Sequence, residues 1–479
     1  MAHHFANEIP PRLLMWQRVR EYAVPPSMIE IATARRAVGD WAGACAAARV
    51  DVDLDLRAVG RLHGTELVTR LRADLRRLAP DLLRWHMPRS APDGLLRPGL
   101  TVCLARYPDS GSGDGCSDGA PLRLVVRTPP AWAGAGQRMS LALWDAGGNG
   151  FGADGPEPHP HPHPHPHPHP HPDRRFRLDL HRHLWDAARS GELAWRSTAG
   201  GDSPWAVPRW AAEAELLLRA EGQDPRGAFC VRLGARSTGV YELVAPDDGH
   251  APALREVRTP RYDIAALPVL PEAAARVLPD RELLEAGLVS AGRLHPLVAA
   301  ALAPYAAATP VVGAGPQTGD PHRVECRGAV HRIALRDGVL TAVDHEPDQL
   351  RREELLVALG GPPLPCLRAI DAVHRSPEAL PAVRERLGHG DVAGALAVVE
   401  GLLGPGAVLR DGPLREALES AVARRIDHGL FRSGLDTPHP AARAARTPQG
   451  DHIRPDLRAL SALRRKRGRR TRPRNVLSC

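Results

Sequence analysis

Apolar positions recur along this chain with two periods. Between residues 27 and 88 the spacing is helical. Ser27 can cap a run carrying Met28, Ile31, Ala34 and Val38, Gly39 offers a stop, and Asp40 can cap the next helix. Leu67, Leu71, Leu75, Leu78 and Leu82 then follow at steps of three and four, one apolar stripe. Arg70, Arg72, Arg76, Arg77 and Arg84 fall on other faces, as on a solvated amphipathic helix. Over residues 100–145 the period shortens, and 101–107, 122–128 and 138–145 read as strands. The glycine-rich GSGDGCSDG between the first two leads into another strand rather than a helix. It therefore reads as a hairpin connection, not a phosphate-binding loop.

Residues 146–175 break the pattern. Gly-rich sequence leads into a His-Pro alternation with His159, His161, His163, His165, His167, His169 and His171. Proline at every second position forbids helix and favours an extended polyproline spacer, ~43 Å for fourteen residues. The imidazoles are candidate ligands for Zn²⁺, Ni²⁺ or Cu²⁺, although a proline-locked chain closes poorly around one ion. Beyond the spacer, Phe176, Leu178 and Leu180 alternate with polar residues, which predicts a strand carrying Asp179, His181 and His183 on one face as possible metal ligands. A helix is expected over 185–189 and another over 209–221. A hairpin is expected over 228–245, helices broken by proline over 271–303, and a hairpin around Arg336-Asp337-Gly338. From 348 to about 432 the pattern is helical.

These readings predict an α+β multidomain chain in which helical N- and C-terminal regions flank small β-containing modules. The expected divisions are a helical region 1–95, a β-rich module 96–145, the linker 146–175, an α+β module 176–345, a helical region 346–436 and a disordered basic tail 437–479. Composition adds exclusions. Lys466 is the only lysine, so the rest of the chain offers no P-loop lysine, kinase strand lysine or Schiff-base lysine. The seven cysteines are widely spaced with no C-x-x-C, which leaves a zinc ribbon or thioredoxin motif unsupported and suits free thiols in a reducing cytosol. No secretory signal is seen in MAHHFANEIPPR, and the uncharged stretch 296–319 is interrupted by three prolines. The sequence thus points to a cytoplasmic protein with no membrane contact and calls for no cofactor. Net charge is +8, but nine basic residues follow Asp456 with no acid among them. The remaining 54 basic residues face 55 acidic ones, so the body is neutral. Arg464, Arg465, Lys466, Arg467, Arg469, Arg470, Arg472 and Arg474 form a run able to bind nucleic-acid phosphates without sequence choice.

Two internal echoes and one short motif complete the reading. Gly39-Asp40-Trp41-Ala42-Gly43-Ala44 recurs as Gly390-Asp391-Val392-Ala393-Gly394-Ala395, each a helix–Gly-Asp–helix corner. Leu402-Leu403-Gly404-Pro405-Gly406-Ala407 is echoed 28 residues later, with Asp411-Gly412-Pro413-Leu414 between. This order over 390–436 resembles a degenerate ankyrin repeat, which implies a protein-binding helical stack. Asp51, Asp53 and Asp55 alternate with Val52, Leu54 and Leu56. On a strand the three carboxylates share a face and could hold Mg²⁺. The D-h-D pattern is similar to that of nucleotidyltransferases, but Ala44 stands where that family has serine beside the glycine. The alternative is a helix start favoured by Asp53 and Asp55. With no convergent catalytic set, the leading expectation is a non-enzymatic interaction or scaffold protein whose protein partner the sequence does not identify. The second is a Mg²⁺-dependent nucleotidyltransferase-like enzyme using Asp51, Asp53 and Asp55. The third is a nucleic-acid-associated factor acting through the tail.

Overall fold

The computed structural model describes residues 9–108, 121–131, 137–145, 171–197, 203–224, 226–244, 253–257, 263–306, 323–336, 339–375, 381–403 and 413–432. The connection 111–119, His159 to His169 and the basic tail lie outside the described residues. The fold is α+β.

Proline sets many of the helix starts, because its fixed φ suits the first helical position and its missing N–H would be unsatisfied there anyway. The chain opens with α1 (Pro11–Tyr22), α2 (Pro26–Ala37) and α3 (Trp41–Ala47). Gly39 turns the α2–α3 corner at φ +77°, and the Asp40 carboxylate accepts from the Gly43 N–H at 2.8 Å. Strand β1 (Val50–Asp53) follows, then α4 (Leu56–Arg77), kinked at Gly64, and α5 (Pro80–His86). The leucine stripe spans both of these helices: Leu67, Leu71 and Leu75 belong to α4 and Leu82 to α5, and all are buried. A small antiparallel pair, β2 (Arg89–Ser90) and β3 (Leu95–Leu96), leads to β4 (Thr101–Tyr107), β5 (Leu122–Arg127) and β6 (Met139–Trp144). These form one mixed sheet in the order β1-β6-β5-β4, with β1 parallel to β6 and the others antiparallel.

After the spacer, 176–180 is not a strand. The chain makes a single parallel bridge, Cys103 to Arg177, then continues through 3-10 turns over Arg182–Leu184 and Ala187–Glu192 into α6 (Leu193–Arg196). The side chains alternate, yet the backbone finds no ladder, and the Trp185 indole donates to the Leu178 carbonyl at 2.9 Å instead. Helix α7 (Val207–Ala220) packs on the sheet β7 (Ala228–Arg232), β8 (Thr238–Val244) and β9 (Ala253–Glu256). Then come α8 (Glu272–Ala275), α9 (Pro279–Glu285) and α10 (Pro296–Ala306). The last elements are the antiparallel sheet β10 (Arg323–Cys326), β11 (Ala329–Arg336) and β12 (Val339–Ala342), and five helices. These are α11 (Pro347–Ala358), α12 (Pro365–Arg375), α13 (Pro381–Gly388), α14 (Val392–Leu403) and α15 (Pro413–Arg432). Residues 390–436 contribute α14 and α15, and the connecting residues 404–412 lie outside the described residues.

One large apolar core gathers residues from Leu13 to Leu302, including α1–α5, the mixed sheet, Phe176, Trp185 and α9–α10. The first helical region, the β-rich module and part of the third module thus share one interior. Several buried charged groups are paired. Arg20 forks onto Asp280, its Nε and Nη2 each at 2.7 Å, and His295 meets Asp81 at 3.1 Å. The C-terminal helices dock on the N-terminal part through Arg49, which donates to the His389 carbonyl at 2.7 Å and pairs with Asp391 at 3.3 Å. Among the described residues, no helix is long and apolar enough to cross a membrane.

Candidate functional site

Strand β1 is an edge strand, and its alternation splits the acidic motif as the pattern requires. Val52, Leu54 and Leu56 pack against the main core, while Asp51 and Asp53 face α15. Asp51 receives a forked pair from Arg138, the residue before β6, at 3.0 and 2.5 Å, and the His428 Nε2 lies 2.9 Å away. Arg432 reaches Asp51 at 3.4 Å and donates through Nε to Asp53 at 3.0 Å. Burial alone would raise the Asp51 carboxyl. The hydrogen bonds from His428 and Arg138 and the arginine charges outweigh it and hold the group well below the usual aspartate range. Asp55 does not join them. It caps α4, accepting from the Ala58 and Arg57 N–H groups, which hold it below its ordinary value. The motif therefore serves as a seat for α15 and a helix cap.

The histidine candidates are likewise dispersed. His171, the one member of the His-Pro run among the described residues, sits with its ring 4.9 Å from that of Trp144. Asp179 pairs with Arg177 at 2.7 Å. His181 and His183 turn the other way, each with Nδ1 close to an Arg196 guanidinium nitrogen, at 3.1 and 3.2 Å. Burial, with the neighbouring Arg196 charge, pushes both imidazoles down, so they are neutral at pH 7.

What the fold does assemble is an arginine-lined cavity of about 160 Å³. Arg12, Trp16 and Arg20 line it from α1, because residues four apart share a helix face. Arg89 enters from β2, Arg97 from just after β3, Arg196 from α6 and Arg276 from after α8. Most of these cations are answered. Arg12 pairs with Glu282, Arg20 with Asp280, Arg196 with Glu213 at 2.6 Å and Arg97 with Glu272 at 3.9 Å. Arg276 lies over the Trp205 ring, 4.3 Å from its centroid. Arg89 is different. It is 5% exposed, and its Nη2 donates to the Arg84 carbonyl, but its Nε and Nη1 have no hydrogen-bond partner among the described residues. Burial, aided by the charge of Arg20, pushes this guanidinium down to about 9. Unmet buried donors are rare in folded proteins and cost about 1–3 kcal/mol each. The remaining wall mixes apolar Trp16, Phe176 and Leu178 with polar His86, His183, Ser197 and Glu272.

No protein-family model, curated protein or solved structure matches this chain. Sequence reasoning missed Arg89 because nothing local marks it: it is one arginine among many, in a two-residue strand. The periodic signal available was the 12-16-20 spacing on α1, and that spacing marks a face without saying what the face meets.

Proposed function

We propose that this protein is a non-enzymatic interaction protein that holds a small organic anion in the cavity around Arg89. The two unmet N–H groups of Arg89 carry the reading. The Nε and Nη1 donors face different sides of the guanidinium, so each offers a separate charge-assisted hydrogen bond to an anionic oxygen, and the apolar part of the wall suits the body of an organic ligand. The use of Asp51 and Asp53 as a seat for Arg138, His428 and Arg432 supports a role without metal-dependent transfer chemistry. The five buried free thiols among the described residues suit a reducing cytoplasmic setting. The Arg-rich tail remains a proposal for polyanion contact.

Thermal-shift and calorimetric titration with parallel sets of aliphatic and aromatic carboxylates and phosphate monoesters test the cavity. At least one anion should raise the melting temperature of the wild-type chain, and Arg89→Met should abolish that shift. The same substitution should leave the ligand-free protein as stable or more stable, because an apolar isostere removes an unanswered buried charge. Absence of any anion response together with a destabilised Arg89→Met would assign Arg89 a structural role and end this reading.

A further inference from the structure

The C-terminal sheet module has a small apolar core, with eight fully buried residues of which two are Cys326 and Cys366. Between these thiols stands His345. Cys326, His345 and Cys366 are separated in sequence by nineteen and twenty-one positions, yet one ligand atom from each lies within 4.8 Å of the others. The local structure explains how each is held. Cys326 ends β10 at a tight turn whose central residues, Arg327 and Gly328, sit at φ +55° and +80°, the geometry of a two-residue hairpin. His345 is fixed just beyond β12, its N–H donating to the Ala342 carbonyl at 3.2 Å. Cys366 is the second residue of α12.

Imidazole nitrogens here are unanswered. His345 is 7% exposed, and neither of its ring nitrogens has a hydrogen-bond partner in the described structure. The ring of His331, on β11, lies 4.1 Å from that of His345, and its Nδ1 is also buried without a partner. Three orphaned imidazole nitrogens beside two buried thiols form a costly arrangement for a core, and a cation would answer one nitrogen of each ring together with both sulfurs.

We propose that Cys326, His345 and Cys366 bind a structural Zn²⁺-class ion, with His331, which lies beside His345 but outside that close set, turning in as the fourth ligand. Two sulfurs and two imidazole nitrogens in tetrahedral array are the set that Zn²⁺ favours. Such ligands stand about 3.3–3.8 Å apart around the ion at normal bond lengths, and the three of the close set already lie within 4.8 Å of one another. Both thiols release their protons to solvent as the two metal–sulfur bonds form, and the ion gives up its waters. A small module of this kind needs a staple beyond its own core, and the ion would tie β10, β11, the loop after β12 and α12 together.

Total zinc content cannot test this, because the imidazoles of the His-Pro run are themselves candidate metal ligands. Cobalt can. One equivalent of Co²⁺ added to the reduced, metal-free, untagged full chain should give a sulfur-to-cobalt charge-transfer band in the near ultraviolet and tetrahedral bands in the visible. One equivalent of Zn²⁺ should bleach both. Imidazoles alone cannot produce the first band, so deletion of residues 158–172 should leave it intact. Cys326→Ser and Cys366→Ser should each weaken or abolish it, and His331→Gln should shift the visible bands. Should the cysteine variants fail to fold, the variant combining Cys45→Ser, Cys103→Ser, Cys116→Ser, Cys230→Ser and Cys479→Ser serves instead, and the band must persist there. The proposal is overturned if wild-type protein gives no charge-transfer band, if the band is lost in that five-fold variant, or if Cys326 and Cys366 are joined as a disulfide in the protein as purified. Unchanged visible bands in His331→Gln would give the fourth position to solvent and remove His331 from the site.

Discussion

Asp280 shows what a fully buried charge in this interior requires. The Trp85 indole donates to it at 3.0 Å, beside the forked Arg20. Burial alone would raise this carboxyl, but the Arg20 charge and the hydrogen bonds prevail and hold it far below the usual aspartate range. Asp280→Asn leaves Arg20 buried beside a neutral amide, so it should cost about 3–5 kcal/mol in urea unfolding at pH 7. The pH dependence has a definite sign. Because the folded-state value is depressed, the contribution of Asp280 is complete above the unfolded value of about 4 and is lost as pH falls below it. The wild-type chain should therefore lose stability on acidification below about pH 4 more steeply than Asp280→Asn, as read from urea midpoints across that range. Arg89 is the opposite case, a buried cation with two donors left open, and for that reason its replacement by methionine is expected to leave the ligand-free fold unharmed.

At the scale of elements, the two Gly-Asp corners explain why six residues recur. Gly390 turns its corner at φ +77°, as Gly39 does, and Asp391 accepts from the Gly394 N–H at 3.2 Å. A side chain at Gly43 or Gly394 would collide with the capping carboxylate, so the second glycine is demanded by the first aspartate. Gly43→Ala should therefore destabilise the wild-type chain, although alanine is ordinarily the better helix former by about 1 kcal/mol. With Asp40→Ala in the background the same change should become stabilising, and a double-mutant cycle should return a coupling of about 1–2 kcal/mol. The β1–α15 contact gives a second test. Asp51→Ala strips a shared acceptor from Arg138, His428 and Arg432 and should cost about 2 kcal/mol, with faster proteolysis at α15. Mg²⁺ should leave the wild-type melting temperature unchanged, and a Mg²⁺-dependent rise that vanishes in Asp53→Asn would restore the nucleotidyl-transfer reading. Much of this level is legible in sequence. The expected 101–107, 122–128 and 138–145 are β4, β5 and β6 to within a residue or so, because alternation reports directly on a half-buried ladder. Asp55 is legible as a cap for the same local reason. Residues 176–180 alternate equally well and form no strand, since alternation records where side chains go and not whether a neighbouring backbone is there to pair with.

At the scale of the molecule the legible part shrinks, because the decisive contacts join residues far apart in the chain. Nothing near Cys326, His345 or Cys366 announces the others, and the shared interior of the first three modules depends on pairs such as Arg20 and Asp280, 260 residues apart. Net charge, by contrast, is read without any structure. The neutral body and the nine basic residues after Asp456 imply that retention on heparin at low salt should be lost on truncation after Leu457. In the full chain, retention should fall steeply as salt rises. Retention by the truncated chain would move the basic surface onto the folded body. The distance between Arg20 and Asp280 also has a consequence in time. A ribosome adding about 5–20 residues per second would present α1 and its apolar neighbours roughly 13–50 s before α9 emerges to cover them. During that interval the nascent chain exposes a half-built interior with an unneutralised guanidinium at its centre. Synthesis halted near residue 257 should accordingly leave an insoluble or chaperone-bound fragment, whereas synthesis continued past residue 306 should release a soluble one.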